Sequence, residues 1–201
     1  YTVNDYATVN NAGSVTTAPS GGTTPTRFIA SGQSFFISAD DAMANGTTQN
    51  VTFKNSMRVA NNNANFLRTA NTDADTNLSS HGVESQRVWL NLAGNGGFSQ
   101  ILVGYIAGTS LGWDRGYDGE ALAGNAVRFY SLGADKKLTI QSRFWPFDQT
   151  DKVPLGFKAT GQGSYTIGID HFDDAFNNQN IYLEDKKIGV THDLKASAYS
   201  F

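Results

Sequence analysis

GSYTIGID, residues 163–170, and QILVGYIAG, residues 100–108, are the runs on which the reading of this chain turns. In the first, Tyr165, Ile167 and Ile169 share one parity while Thr166, Gly168 and Asp170 share the other, the two-residue period of a half-buried strand. In the second, Ile101, Val103 and Tyr105 on one side and Leu102 and Ile106 on the other are all apolar, which predicts a central strand covered on both faces. The flanking runs repeat the first pattern. Val88, Leu90 and Leu92 alternate with Arg87, Trp89 and Asn91, and Ile181 and Leu183 alternate with Tyr182 and Glu184. Phe35 and Ile37 alternate with Phe36 and Ser38, and Val51 and Phe53 with Thr52 and Lys54, so two more strands are expected there.

Turn chemistry sets the pairing. Asn95-Gly96-Gly97 supplies the positive-φ residues of a tight hairpin, which pairs RVWLNL (87–92) antiparallel with QILVGYI. GADKK (133–137) joins VRFYSL to KLTIQSRF in the same way. With 21 glycines against 4 prolines, the 201 residues have the make-up of strands and tight turns. Helix is confined to a turn or two near DDAMA (40–44) and DDAFNN (173–178). The expected fold is therefore all-β: one antiparallel β-sandwich, jelly-roll-like, with long loops. Residues 28–201 form the main sandwich, preceded over 1–27 by a strand (Tyr1 to Val9) and a loop or arm whose 13–26 stretch, GSVTTAPSGGTTPT, offers little to bury.

Composition narrows the function classes. A net charge of -3 with only 16% charged residues provides no basic field for nucleic acid. Cysteine is absent, so disulfides and thiolate metal sites are excluded. No run approaches the roughly 20 apolar residues of a membrane-spanning helix, and no membrane insertion is expected. The chain begins at Tyr1 without the features of a signal peptide and reads as part of a longer precursor. Lys54, Arg58, Lys136, Lys137, Lys186 and Lys187 are placed where charge would blunt sheet edges.

The order of the elements carries a resemblance. GQSFFISA (32–39), VTFKNSMRV (51–59), FLR (66–68), RVWLNL, QILVGYIAGTS, DRGYDGE (114–120), FYSL (129–132), LTIQSRFWPFDQTDKVPLGFKA (138–159), GSYTIGID, IYLEDK and HDLKASAYSF follow one another from about Gly32 to Phe201. This series resembles a β-rich module of Bacteroidota (Flavobacterium-like) secreted and cell-surface proteins that precedes the C-terminal sorting domain of the type IX secretion system. The resemblance implies a secreted or outer-membrane-anchored location and a sorting domain beyond AYSF that is missing from these residues. It also implies type IX translocon or shuttle proteins as partners, and it carries over no catalytic residue.

Three constellations could hold chemistry. Asp73, Asp75, Asn77 and Glu84 stand at the first, third, fifth and twelfth positions of a calcium-loop pattern, but Leu78 stands where that loop requires glycine. Calcium binding and a plain Asx-rich turn are both readings of it. Trp113-Asp114-Arg115-Gly116-Tyr117-Asp118-Gly119-Glu120 offers carboxylates, yet nothing flanking them supplies the apolar pocket a glycosidase acid requires. There Trp113 and Tyr117 could stack on sugar rings while Asp114, Arg115 and Asp118 bind hydroxyls, or all five could serve turns and packing. Phe144, Trp145 and Phe147, between strand and prolines, are expected to plug the end of the core. His81, His171 and His192 are scattered without zinc spacing. The functional expectation is a non-catalytic structural or adhesive module, with a carbohydrate-binding, lectin-like module, possible with calcium and surface glycans as ligands, as the alternative.

Overall fold

A computed structural model describes residues 7–17, 24–37, 39, 42–61 and 84–201. The fold is all-β. Its strands are β1 (Ser85–Gly94), β2 (Gly97–Ile106), β3 (Gly119–Glu120), β4 (Val127–Gly133), β5 (Lys136–Arg143), β6 (Leu155–Ala159), β7 (Tyr165–Phe172), β8 (Tyr182–Asp185), β9 (Val190–Asp193) and β10 (Tyr199–Ser200). Helix among the described residues is limited to 3₁₀ turns at Asn55–Met57 and Asp174–Phe176. The second falls in DDAFNN as expected; of DDAMA, residues 42–44 are described and are not helical.

The hairpin reading holds in detail. β1 and β2 pair antiparallel from Gly94↔Gly97 to Ser85↔Ile106, around Asn95 at φ 49° and Gly96 at φ 72°. β4 and β5 turn at Ala134 and Asp135, both at positive φ. Such left-handed turns match the right-handed twist of the strands they join. β7 pairs antiparallel with β1, and β10 with β7, so the C-terminal segment does build the sheet.

One pairing departs from the antiparallel expectation: β2 runs parallel to β5, with Leu102↔Ile140 and Tyr105↔Arg143. β5 has β3 along one edge, through Glu120↔Leu138 and Gly119↔Ile140. Its other edge therefore pairs first with β4, at Ser131↔Leu138, and then with β2 from Ile140 onward. This change of partner folds the main sheet, ordered β10-β7-β1-β2-β5-β4-β6, into a curl with β8 and β9 as a small second sheet. A sheet whose strand switches partners in mid-course can supply both layers of a sandwich by itself.

The core lies inside the curl. Leu90 and Leu92 of β1, Ile101 and Val103 of β2, Phe129 of β4 and Ile167 of β7 form one buried cluster. On the opposite face Trp89, Leu102, Ile106 and Ile140 pack with Ala12 and Val15. β2 is thus mid-sheet and covered on both sides, as its unbroken apolar run requires. The cover on the second face corrects the expected arm: residues 12–15 form a buried strap, pinned where the Trp89 Nε1–H donates to the Ser14 carbonyl at 2.8 Å. The ends of the curl also approach each other, with Phe157 of β6 and Phe201 5.0 Å apart between ring centres.

Among the described residues the strands expected at GQSFFISA and VTFKNSMRV are not formed. Their described residues pair with no strand, and Phe36 and Phe53 are 75% and 67% exposed. Alternation marks a ribbon that could be half buried, but a ribbon becomes part of a sheet only where a neighbouring strand completes its ladder. Lys54 and Arg58 consequently blunt no edge, and Lys136 and Lys137 lie on the interior strand β5. Tyr1 to Tyr6 and FLR (66–68) lie outside the described residues.

Candidate functional site

The segment from Trp113 to Glu120 is built from the sheet outward. After β2, the Thr109 hydroxyl lies 2.9 Å from the Ile106 carbonyl oxygen and 2.7 Å from that of Arg143, tying the exit of β2 to the end of β5. The Ser110 backbone N–H and hydroxyl both donate to one Asp114 oxygen, at 2.6 and 3.0 Å. The Tyr117 and Asp118 backbone N–H groups donate to the Asp114 carbonyl, closing a tight turn. The expected Asx turn, in which the N–H two residues on donates to the side chain, is not the geometry formed: the Asp114 carboxylate reaches back to the N–H four residues earlier, and a backbone turn closes the segment.

Asp118 is the anchor. One carboxylate oxygen accepts from the Ser142 backbone N–H at 2.7 Å and the Ser142 hydroxyl at 2.8 Å. The other accepts from the Asp114 backbone N–H at 2.7 Å. Burial pushes its carboxyl above the ordinary aspartate value, while the hydrogen bonds from Asp114 and Ser142 act to lower it. The strap adds two more ties: the Asn10 side-chain amide donates to the Tyr117 carbonyl at 2.7 Å, and the Asn11 backbone N–H to the Gly116 carbonyl at 2.8 Å. Tyr117 packs against the cluster around Trp89.

Of the five residues singled out here, Asp114, Tyr117 and Asp118 are therefore engaged in the fold. Trp113 is half-buried, with the Lys136 ammonium 4.7 Å from its ring centre, and Lys136 pairs with Glu120 at 2.5 Å. Arg115 is exposed at the tip. Of the calcium-loop set, Asp73, Asp75 and Asn77 lie outside the described residues, and Glu84 is exposed just before β1. Among the described residues no three His, Cys, Asp or Glu side chains gather where they could hold a metal ion. His171 stacks on Trp89 at 4.0 Å, the His192 Nε2 lies 2.8 Å from the Ser197 carbonyl oxygen, and His81 lies outside the described residues.

Sequence reasoning missed a buried polar network at the end of β5. Arg143 grips Asp151 through two bonds of 2.6 Å, and the Tyr105 hydroxyl donates to the same carboxylate at 3.0 Å. The Arg143 and Asp151 side chains are only 7% and 10% exposed. Burial works to raise the Asp151 carboxyl, but the Arg143 guanidinium and the Tyr105 hydroxyl together hold it below the ordinary value. Burial, reinforced by Asp151, pushes the Tyr105 hydroxyl up. Phe147 covers this end, 4.9 Å from Tyr105 and 5.1 Å from Phe176, and Trp145 also packs on the core, so these two plug it as expected, while Phe144, of the same expected set, is half-buried and belongs to neither core cluster.

With the geometry in view, the family comparison covers the whole chain: the family described as a domain of unknown function, DUF8693, matches residues 1–201. The chain belongs to the DUF8693 family. No curated protein and no solved structure matches it.

Proposed function

We propose that the chain is a non-catalytic structural or adhesive module of an exported cell-surface protein. The observation that carries this reading is Asp118: the one buried carboxylate of the acidic segment accepts three hydrogen bonds that bind the loop to β5. A general acid or nucleophile must keep a face open to substrate; this carboxylate is turned inward as a fastener. Arg143, Asp151 and Tyr105 act similarly at the same end of β5, one residue on from Ser142. The ordered elements from GQSFFISA to AYSF extend the proposal to a protein handled by type IX translocon or shuttle proteins and delivered to the cell surface. The test is to follow the full-length precursor in a type IX-competent bacterium and in a translocon mutant. Surface exposure lost in the mutant supports the reading; unchanged surface delivery, or turnover of a substrate abolished by Asp118→Asn in a folded protein, defeats it.

A carbohydrate-binding module is the second reading, favoured by the half-buried Trp113 ring beside the exposed Arg115 and the Lys136–Glu120 pair. Calcium would act through Asp73, Asp75, Asn77 and Glu84. A glycan array with and without calcium tests both parts: binding lost in Trp113→Ala supports the sugar reading, and binding indifferent to chelation removes calcium from it.

A further inference from the structure

The outer face of β4, β5 and β6 gathers positive charge around one aromatic ring. Arg128 and Lys158 are direct cross-strand partners, so their side chains leave the sheet on the same face. Tyr130 lies two residues along from Arg128, and a β-carbon at its partner Gly156 would collide with its ring. The glycine thus gives the ring room to lie on the sheet. The Lys137 ammonium stands 4.9 Å from the Tyr130 ring centre and the Arg128 guanidinium 5.7 Å from it.

Like charges directly opposite across a pair of strands repel. Among the described residues no carboxylate pairs with Arg128, Lys137 or Lys158, while nearby Glu120 is taken by Lys136. Arg128 donates to the Ala121 carbonyl through one terminal nitrogen, yet its Nε is buried without a hydrogen-bond partner. A chain of net charge -3 that nonetheless clusters cations here, with no countercharge on them among the described residues, leaves a place for an anion.

Arg128 also lines a half-open cavity of about 50 Å³, together with Thr8, Thr17, Ser99, Asn125 and Thr139. Ser99 accepts from the Phe129 N–H at 3.0 Å and keeps its own proton to donate. The Thr139 hydroxyl donates to the Gln100 carbonyl at 3.2 Å and keeps lone pairs to accept. The cavity therefore offers donors and acceptors side by side, the complement of a sugar's hydroxyls, next to cations and a flat ring.

From this juxtaposition we infer that the β4–β6 face binds an acidic polysaccharide, with Arg128, Lys137 and Lys158 on its anionic groups, Tyr130 under a ring, and the adjoining cavity on hydroxyls. The inference deepens the adhesive part of the proposed function and rests on it, but uses a surface separate from Trp113 to Glu120. Carboxylated and sulfated sugars share this chemistry, and the hydroxyl-lined cavity favours both over nucleic acid.

The experiment measures binding of the whole chain to polygalacturonate, a sulfated dextran, neutral dextran and single-stranded DNA at low and moderate salt. An acidic sugar is expected to bind, more weakly as salt rises, with about tenfold loss in Arg128→Gln and in the double variant Lys137→Gln/Lys158→Gln, since each removes charge-assisted contacts. Which acidic sugar binds better tells carboxylate from sulfate. Lys158→Gln removes a like-charge neighbour and should melt no lower than the parent, so its loss of binding reports the surface and not the fold. Undiminished binding in these variants, a preference for neutral dextran, or equal binding of DNA overturns the inference. Acidic-sugar binding lost only in Trp113→Ala overturns it while leaving the adhesive reading intact; no binding to any sugar overturns it and leaves the proposed function to its structural half.

Discussion

Strand β1, in its hairpin with β2, and the segment 28–59 carry the same alternating pattern and end in opposite states. In the hairpin, Leu90, Leu92, Ile101 and Val103 are buried between the layers of the curl. In the segment, Phe36, Ile37, Val51, Phe53 and Val59 all remain exposed, and Phe35 meets Phe53 edge to face at 6.2 Å. The difference is partners. β1 has β2 on one edge and β7 on the other, whereas the described residues of 28–59 line no strand. Alternation gives a strand a face to bury, and a neighbour must still satisfy its backbone.

That contrast can be broken by mutation. The largest effect is expected for Ile101→Ala, which empties a fully buried site and should cost about 3 to 4 kcal/mol in chemical denaturation. Asp151→Asn should cost about 3 kcal/mol near neutral pH, because it leaves the buried Arg143 charge without its partner. Its pH dependence has a definite sign. The folded Asp151 carboxyl sits below its ordinary value, so the stabilisation is full above about pH 4 and is lost as pH falls through the lower folded value. Melting curves of parent and variant should converge on acidification. Divergence would mean that Asp151 does not carry the network.

Asp118→Ala comes next, at about 2 kcal/mol, since the Ser142 and Asp114 N–H groups lose their acceptor. Its acid behaviour runs the other way. Burial raises the Asp118 carboxyl, so the cost of keeping it charged is relieved as pH falls toward the folded value. The smallest effect is expected for Phe53→Ser, within about 0.5 kcal/mol. A loss comparable with that of Ile101→Ala would show that Phe53 is covered in solution, and the comparison between the two regions would fall.

Much of the sheet was readable because its signals are local. The double apolar face of 101–106, the Asn95-Gly96 turn and the parity of Tyr165 and Ile167 are each contained within a few residues, and each placed its strand correctly. The 113–120 segment was readable as turn chemistry, but not the destination of Asp118, because Ser142 is far away along the chain. The Arg143–Asp151–Tyr105 network left no sequence signal, since an arginine and an aspartate eight residues apart are commonplace on a surface. The strap at 12–15 was hidden for the opposite reason: small residues in a Gly, Ser and Thr context look like linker, and only the flat side of Trp89 makes them core. Arg128 and Lys158 lie thirty residues apart and become neighbours through the β4–β6 register alone.

The amino-acid sequence by itself determined that this protein is made of strands, where most of them turn, and that β2 lies at the centre, because side-chain parity and positive-φ residues act within a few positions. Tertiary structure decided that β5 changes partners and runs parallel to β2, that the described residues of 28–59 stay outside the sheet, and which charges meet. Those outcomes depend on which edges find one another across the chain, and local pattern does not encode distance.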